Sequence, residues 1–444
     1  MKIIMKKISI CFVLFLLSAL FSCSNSDSTG PADSDINPFS NGGDERNMLV
    51  VISDIHLGAD ISYAECNKNR GALEKLLNQI REAQNVKELV IAGDLLDEWF
   101  VPAIVDTYQG KNQADFVQRI ATTNKGVIDA INNIIQDQNI FVTYVPGNHD
   151  LTITAANVDL ILPGIHQARD PELGLGTYSP ADYPKIAIEH GHRYNFFCAP
   201  DPISNQVAAP GTILPPGYFL TRIAALHVVQ HDSIPGDTLD VVTKNTSGNE
   251  SQDLLFTYRK LWEWAINNLP ITNKFDENMI VTNVDGFKGN YSVNDLLPHQ
   301  TIAGGLIYVD LYDSIQDKWD QRQALNNVDV NIPASRAIAN SAKSSESDSQ
   351  AIVQYFLNPK SDKRIVIFGH THDAKIIDTV DYEGQKAIYA NTGTWIDSNN
   401  VAPTTMNFVV VTPQDANSSS QTYVRLYNFE NEVVTKMDED SLRY

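Results

Sequence analysis

Five short clusters hold the residues whose types and spacing could do chemistry. They are SDIH with Asp54 and His56, GDLLD with Asp94 and Asp97, GNHD with Asn148, His149 and Asp150, EHGHR with His190 and His192, and GHTH with His370 and His372. Together they offer carboxylates, one amide and several imidazoles, and no thiolate. That mixture suits first-row divalent transition ions such as Mn, Fe or Zn better than Mg or Ca, which take all-oxygen shells. In DxH and HxH on segments leaving strands, residues two apart can face one side and grip one ion. Each cluster alone is a weak signal, and their number is the argument.

Such clusters need elements that end at one place. MLVVISD (48–54), ELVIAGD (88–94), IFVTYVPGN (140–148), KIAIEHG (185–191) and RIVIFGH (364–370) are apolar or β-branched runs that stop in those polar residues. Unbroken apolar runs of this length predict strands buried on both faces. Helical periods separate them. Leu73, Leu76, Leu77 and Ile80 share one face over 72–83, as do Val127, Ile128, Ile131, Ile134 and Ile135 over 125–137. Strand–helix alternation of this kind is α/β architecture, in which ligands collect outside the carboxyl ends of the strands. All five clusters sit there.

In that order, DxH, GDxxD, GNHD, HGH and GHxH, the motifs resemble those of the calcineurin-like metallophosphoesterases, over residues 47–200 and 362–397. The resemblance implies an α/β fold, a four-layer α/β/β/α sandwich of two mixed sheets with the metal site at one edge. It implies two divalent transition-metal ions about 4 Å apart that activate a shared water and clamp the phosphoryl oxygens. Asp54, His56 and His372 would hold one ion and Asn148, His190 and His370 the other, with Asp94 bridging. A carboxylate bridge offsets the repulsion between cations, and the neutral Asn carbonyl leaves positive charge for the phosphate. His149 would be the general acid, with Asp97 orienting it. Asp150 would tie its loop together from outside the ligand set.

The resemblance leaves the substrate open among phosphomonoesters, phosphodiesters and pyrophosphates. Phosphoprotein phosphatases of the family carry Arg after GDxxD, where this chain has Glu98. GDLLDEW is similar to the branch containing UDP-2,3-diacylglucosamine diphosphatase, but that branch has Arg where His149 stands. Candidate substrate contacts are Arg193 and Tyr194 after HGH, Trp99 and Phe100 after GDLLD, and Tyr218, Phe219 and Arg222 in PPGYFLTR (215–222), read as a Gly/Pro turn.

Residues 201–350 differ in texture and read as a largely helical insertion, either a cap over the site or a buttress. Its longest helical pattern, 251–269, puts Leu254, Tyr258, Leu261 and Ala265 on one stripe. After it, residues 351–444 complete the core. TYVRLYNF (422–429) alternates as a half-exposed antiparallel strand, with Tyr423, Arg425 and Tyr427 on one face.

The chain has 444 residues, 43% hydrophobic and 20% charged, with a formal net charge of -21. That acidity argues against nucleic acid as a partner, since non-specific binding rests on Lys/Arg–phosphate contacts. Residues 1–22 read as a signal peptide, with a basic start and an apolar run from Ile8 to Phe21. Ser22-Cys23 resembles a lipoprotein cleavage site, so the expectation is a membrane partner through a lipid anchor on Cys23; a plain cleaved signal is the alternative. Residues 23–46 then read as the lipidated Cys and a flexible tether. The predicted location is the cell envelope, as an outer-membrane or surface lipoprotein, otherwise periplasmic. Cys66 and Cys198 are either a disulfide or two buried thiols. The function expected is an exported di-metal phosphoesterase using a metal-bridging hydroxide and His149. The rival is a surface binding lipoprotein with a lapsed hydrolase site.

Overall fold

β1 (Met48–Ile52) sends Leu49 and Val51 to one side and Met48, Val50 and Ile52 to the other, and all five are fully buried. Double burial is the reason the run carries no polar residue. The structure, a computed structural model, describes residues 37–171, 173–231, 237–272, 274–414 and 421–444. The expected signal peptide and Cys23 lie outside the described residues. β2 (Val86–Ala92), β3 (Phe141–Val145) and β4 (His166–Gln167) continue from β1 in parallel. Between them run α1 (Arg70–Glu82), α2 (Gln113–Thr123) and α3 (Lys125–Asp137), with α4 (Ala155–Ile161) following β3. The predicted apolar faces of α1 and α3 are buried, except that Ile135 is only partly so, and α1 packs on α3. β5 (Ile186–Ile188) then opens a second sheet.

The insertion is helical, as expected: α5 (Pro216–Gln230), α6 (Glu250–Asn268), α7 (Trp319–Leu325), α8 (Ala334–Asn340) and α9 (Ser344–Ala351). Two short ladders accompany them, β6 (Ile280–Thr282) with β7 (Gly289–Tyr291), and β8 (His299–Gln300) with β9 (Ile307–Tyr308). Residues 215–222 are not a turn. Pro216 begins α5, where a missing N–H costs nothing and a fixed φ suits the helix. α6 is rotated from its predicted stripe: Leu255, Tyr258, Trp262 and Ala265 are buried, while Leu254 and Leu261 are only partly so.

The chain returns through β10 (Ile365–Phe368), which lies between β5 and β12 (Lys386–Asn391), parallel to both; β11 (Lys375–Val380) is antiparallel at the edge. β13 (Asn407–Thr412), β14 (Thr422–Glu430) and β15 (Val433–Leu442) extend the first sheet antiparallel from β1, giving seven strands against four. The sheets share a core of Leu49, Val51, Val90, Ile186, Ile188, Ile365, Ile367, Val409 and Val424 among others. Two mixed sheets with helices outside match the expected sandwich.

Two readings change in this frame, and an open alternative closes. Phe39, placed in the tether, is buried and stacks on Phe408, which stacks on Tyr427, so Tyr427 is covered although its face of β14 was read as half-exposed. Cys66 and Cys198 are buried free thiols. Among the described residues no helix is long and apolar enough to cross a membrane.

One hydrophobic cluster runs from the helix side of the first sheet (Val50, Leu77, Ile91) through Trp99 and Phe197 to Tyr258, Trp262 and Trp319 of the insertion. The insertion therefore has no core of its own. Trp262→Ala should lower the stability of the whole chain by about 3–5 kcal/mol, the usual cost of emptying a large aromatic site. Denaturant melts should keep one cooperative transition; a second, unshifted transition would show an independent insertion.

Candidate metal centre

All five clusters leave the carboxyl ends of strands: β1, β2 and β3 in one sheet, β5 and β10 in the other. The backbone turns sharply there. Asp54, His56, Asp94, His370 and His372 have φ of 51, 53, 50, 69 and 58°, in the left-handed region that costs a residue with a Cβ. Two glycines let the loops close. A Cβ on Gly147 would stand 2.1 Å from Asp94 Oδ1, and one on Gly369 2.5 Å from Asp54 Oδ2. Asp150 ties two loops, accepting from the N–H groups of Leu95, Leu96 and Gly147.

In one group, Nε2 of His372 lies 3.1 Å from Asp54 Oδ1 and 3.3 Å from Nε2 of His56. His56 hydrogen-bonds Asp97 Oδ2 through Nδ1 at 3.1 Å, so Nε2 is the nitrogen turned toward the group. In the other, Asn148 Oδ1 lies 3.1 Å from His190 Nε2 and 2.9 Å from His370 Nδ1. His190 bonds the Ala92 carbonyl through Nδ1, again leaving Nε2 inward. Asp94 Oδ2 stands between the groups, 3.1 Å from His190 Nε2 and 3.6 Å from His56 Nε2. Its Oδ1 accepts the His149 N–H. The structure thus brings together all seven residues expected as ligands, none more than 7% exposed. His192, beside them, has neither ring nitrogen partnered.

A cation fits this donor set. Carboxylate and amide oxygens converge on imidazole nitrogens, and at His56 and His190 the other ring nitrogen is held by Asp97 and the Ala92 carbonyl, the outer arrangement that orients metal-binding histidines. Ligand atoms of Asp54, His56 and His372 lie within 4.8 Å of one another, as do those of Asp54, Asp94 and His190.

His149 hydrogen-bonds Asp97 Oδ1 through Nδ1 at 2.8 Å. The same carboxylate takes the N–H groups of Trp99 and Phe100 on Oδ1 and the His56 ring on Oδ2. Asp97 therefore joins the candidate acid to a candidate ligand.

At most of these groups the charges work against burial. Burial favours neutral His56, but the Asp97 hydrogen bond with Asp94 and Glu65 raises its pKa to about 10. Asp94 and Asp54 overcome burial likewise at His190, raising it to about 9. His149 is also raised, by Asp97 and Asp94 against burial. Burial, then the charge on His190, pushes His370 down to about 3. Burial pushes Asp94 up, yet His190 and His149 hold it well below the usual carboxylate range.

The expected substrate contacts fare differently. Arg222 is fully buried in α5 and donates to the carbonyls of Val101, Pro102, Ala103, Val105 and Val281; an arginine that satisfies five carbonyls has no face left for substrate. Arg193 pairs with Glu189 and Asp170 and donates to Thr177 and the Asn326 carbonyl. Tyr194 gives its hydroxyl to Glu189 and stacks on Phe368. Trp99 is 1% exposed, its ring stacked on His149. All four are built into the protein interior. Glu98 is also turned in, accepting from Tyr108, Gln113 and Thr152.

Sequence reasoning missed Glu65, whose Oε2 lies 3.6 Å from His56 Nδ1. It stands in the irregular segment before α1, where no periodicity marks it. It also underrated NTGTW: Thr394 Oγ1 and the Trp395 N–H both bond the Asp54 carbonyl. Polar residues at another strand's carboxyl end were the available signal.

The family model described as calcineurin-like phosphoesterase matches residues 48–210. No curated protein matches the chain. Among solved structures, a nuclease of Pseudomonas putida, MPE, aligns at 18% identity over 32% of this chain and 53% of its own, with a TM-score of 0.20. The chain thus spans about half of that nuclease. An N-acetyl-D-glucosamine-6-phosphate deacetylase from Mycobacterium smegmatis aligns at 10% identity over 87% and 77% of the two chains, with a TM-score of 0.15. At such scores neither likeness bears on fold or function.

Because His56 and His190 hold protons up to about 10 and 9, a divalent ion must displace them. Binding of Mn²⁺ or Zn²⁺ near neutral pH should release protons, and affinity should rise with pH through that range. Calorimetry in two buffers of different ionisation enthalpy measures the release. Identical heats would mean these imidazoles are not ligands.

Proposed function

We propose that this chain, whose residues 48–210 match the calcineurin-like phosphoesterase family, hydrolyses a singly charged phosphoester, a phosphodiester, at a pair of divalent transition-metal ions. The observation that carries the reading is Asp94 Oδ2 between His56 and His190, with Asp54 and His372 on one side and Asn148 and His370 on the other. When bound, the ions supply positive charge to the phosphoryl oxygens and lower the pKa of a water.

The protein's own residues supply the rest. Asp97 fixes Nδ1 of His149, so Nε2 is the position from which a proton can pass. Asp97 and Asp94 raise its pKa against burial, which favours the protonated ring that an acid requires. As water attacks phosphorus and the bond to the leaving oxygen breaks, His149 Nε2 gives its proton to that oxygen. Asp97 then stabilises the ring in its correct tautomer.

The diester preference follows from charge. Arg193 and Arg222 are engaged elsewhere, and Glu98 occupies the position after GDxxD. No ion pair of the seven candidate ligands or His149 involves a lysine or arginine among the described residues. A dianionic monoester would draw more charge from the ions and His149; a monoanion asks for less. The leader and Cys23 make the envelope part of the same reading, with the catalytic body held to a membrane by a lipid. Mass spectrometry of the Cys23 peptide tests that.

With Mn²⁺, residues 24–444 should hydrolyse a bis-nitrophenyl ester in preference to the nitrophenyl monoester and to a nucleoside diphosphate sugar. His149→Ala should lower kcat on an unactivated phenyl diester by about 10²–10⁴-fold, the span of a positioned general acid, with metal content unchanged. No turnover of any ester by metal-loaded protein would leave the lapsed-site reading standing.

A further inference from the structure

Trp99 stands between the insertion and His149. Trp99 lies flat against His149, ring centroids 5.1 Å apart at 27°. Its indole N–H has no partner among the described residues, so packing alone sets the ring. What packs on it is the first turn of α5. Tyr218 stands edge-on to the indole at 6.1 Å and 80°. A Cβ on Gly217 would lie 3.2 Å from Trp99 Cζ3 and 2.7 Å from the Phe197 carbonyl oxygen, so only glycine lets the helix come this close. Tyr218 is fixed in turn. Its hydroxyl meets Thr282 Oγ1 and Arg222 Nη1, both at 2.6 Å, and Arg222 is locked on its five carbonyls. Among the described residues the polar hold on the His149 ring runs to Asp97, the His56 ring stands edge-on to it at 4.4 Å, and the Trp99 backbone N–H helps fix the Asp97 carboxylate.

We infer that the insertion acts as a rear wall for His149, with Tyr218 and Gly217 of α5 pressing Trp99 against the imidazole so that its proton-bearing nitrogen keeps its aim. Trp99 is thus a positioning residue, not a substrate contact. A hydrogen bond to Asp97 leaves the ring free to swing about the bond; a flat indole on one face removes that freedom. The inference rests on the proposed role of His149, and its test separates the two.

The test uses purified, manganese-loaded protein and two diesters, one with a nitrophenyl leaving group that needs little protonation and one with phenyl, whose oxygen is far more basic. A misaimed acid costs more on the second. Trp99→Leu should lower kcat on the phenyl ester about tenfold more than on the nitrophenyl ester, part of the roughly 10²–10⁴-fold an acid contributes, with KM and metal content unmoved. Trp99→Phe, which keeps a flat ring, should recover most of it. Gly217→Ala, whose Cβ would press on Trp99 and the Phe197 carbonyl but reaches neither His149 nor a candidate ligand, should show the same leaving-group bias and carries the test if Trp99→Leu does not fold. Equal losses on both esters, or none, would overturn the inference provided that His149→Ala itself shows the bias. If His149→Ala shows none, the acid role fails and this inference falls with it.

Discussion

Three carboxylates, Asp54, Asp94 and Asp97, lie within a few side chains of one another where almost no water reaches. Negative charge so concentrated and desolvated is tolerable only if positive charge comes with it. In the protein alone that charge is protons on His56, His190 and His149, all held above the usual imidazole range by those carboxylates. The protons on His56 and His190 occupy the nitrogens that would face an ion. A cation and the protons compete for one set of lone pairs, and the rest of the site is arranged around that competition.

The backbone shows what it costs to hold such a set. Five of the ligand candidates sit at positive φ, each unfavourable for a residue with a side chain. Strand ends buried between two sheets can impose this, because the apolar strand behind each turn fixes where the turn begins. Closing Gly147 on Asp94 joins two loops of the first sheet, and closing Gly369 on Asp54 locks loops from opposite sheets together. The His370 N–H, bonded to both Asp54 oxygens, is the direct link across that seam.

Much of this was readable from residue order. An apolar run ending in Asp or His is improbable chemistry for a turn, and five repetitions point to one place. What could not be read is where long side chains go. Arg193 and Arg222 look like phosphate contacts in a one-dimensional string, but a guanidinium is equally suited to carboxylates or to a ring of carbonyls, and tertiary packing decides. Pro215-Pro216-Gly217 looks like a turn, yet Pro at the first helical position and Gly at a close contact are just as consistent with a helix entry. Phe39 and Tyr427 were misplaced because each is covered by a residue hundreds of positions away in sequence or on another strand. Glu65 lies in an irregular segment with no period at all.

The insertion raises a separate physical question. His190 and His370 pair with the same Asn148 oxygen, yet about 175 residues divide β5 from β10. Closing so long a loop costs little more than closing a shorter one, since the entropy grows only with the logarithm of length. Specificity is the harder requirement: the chain must return in register beside β5. The shared hydrophobic cluster supplies it, with Phe196 and Phe197 just after the HGH loop packed on Tyr258, Trp262 and Trp319. The segment following one set of ligands is thus fastened to the insertion before the chain reaches the next. Asp348 and Ser344 of α9 then engage Lys375 and Asp373 just beyond GHTH. An insertion anchored at both ends of the gap is part of how the two halves of the site come to face each other, which a loosely hinged cap could not do.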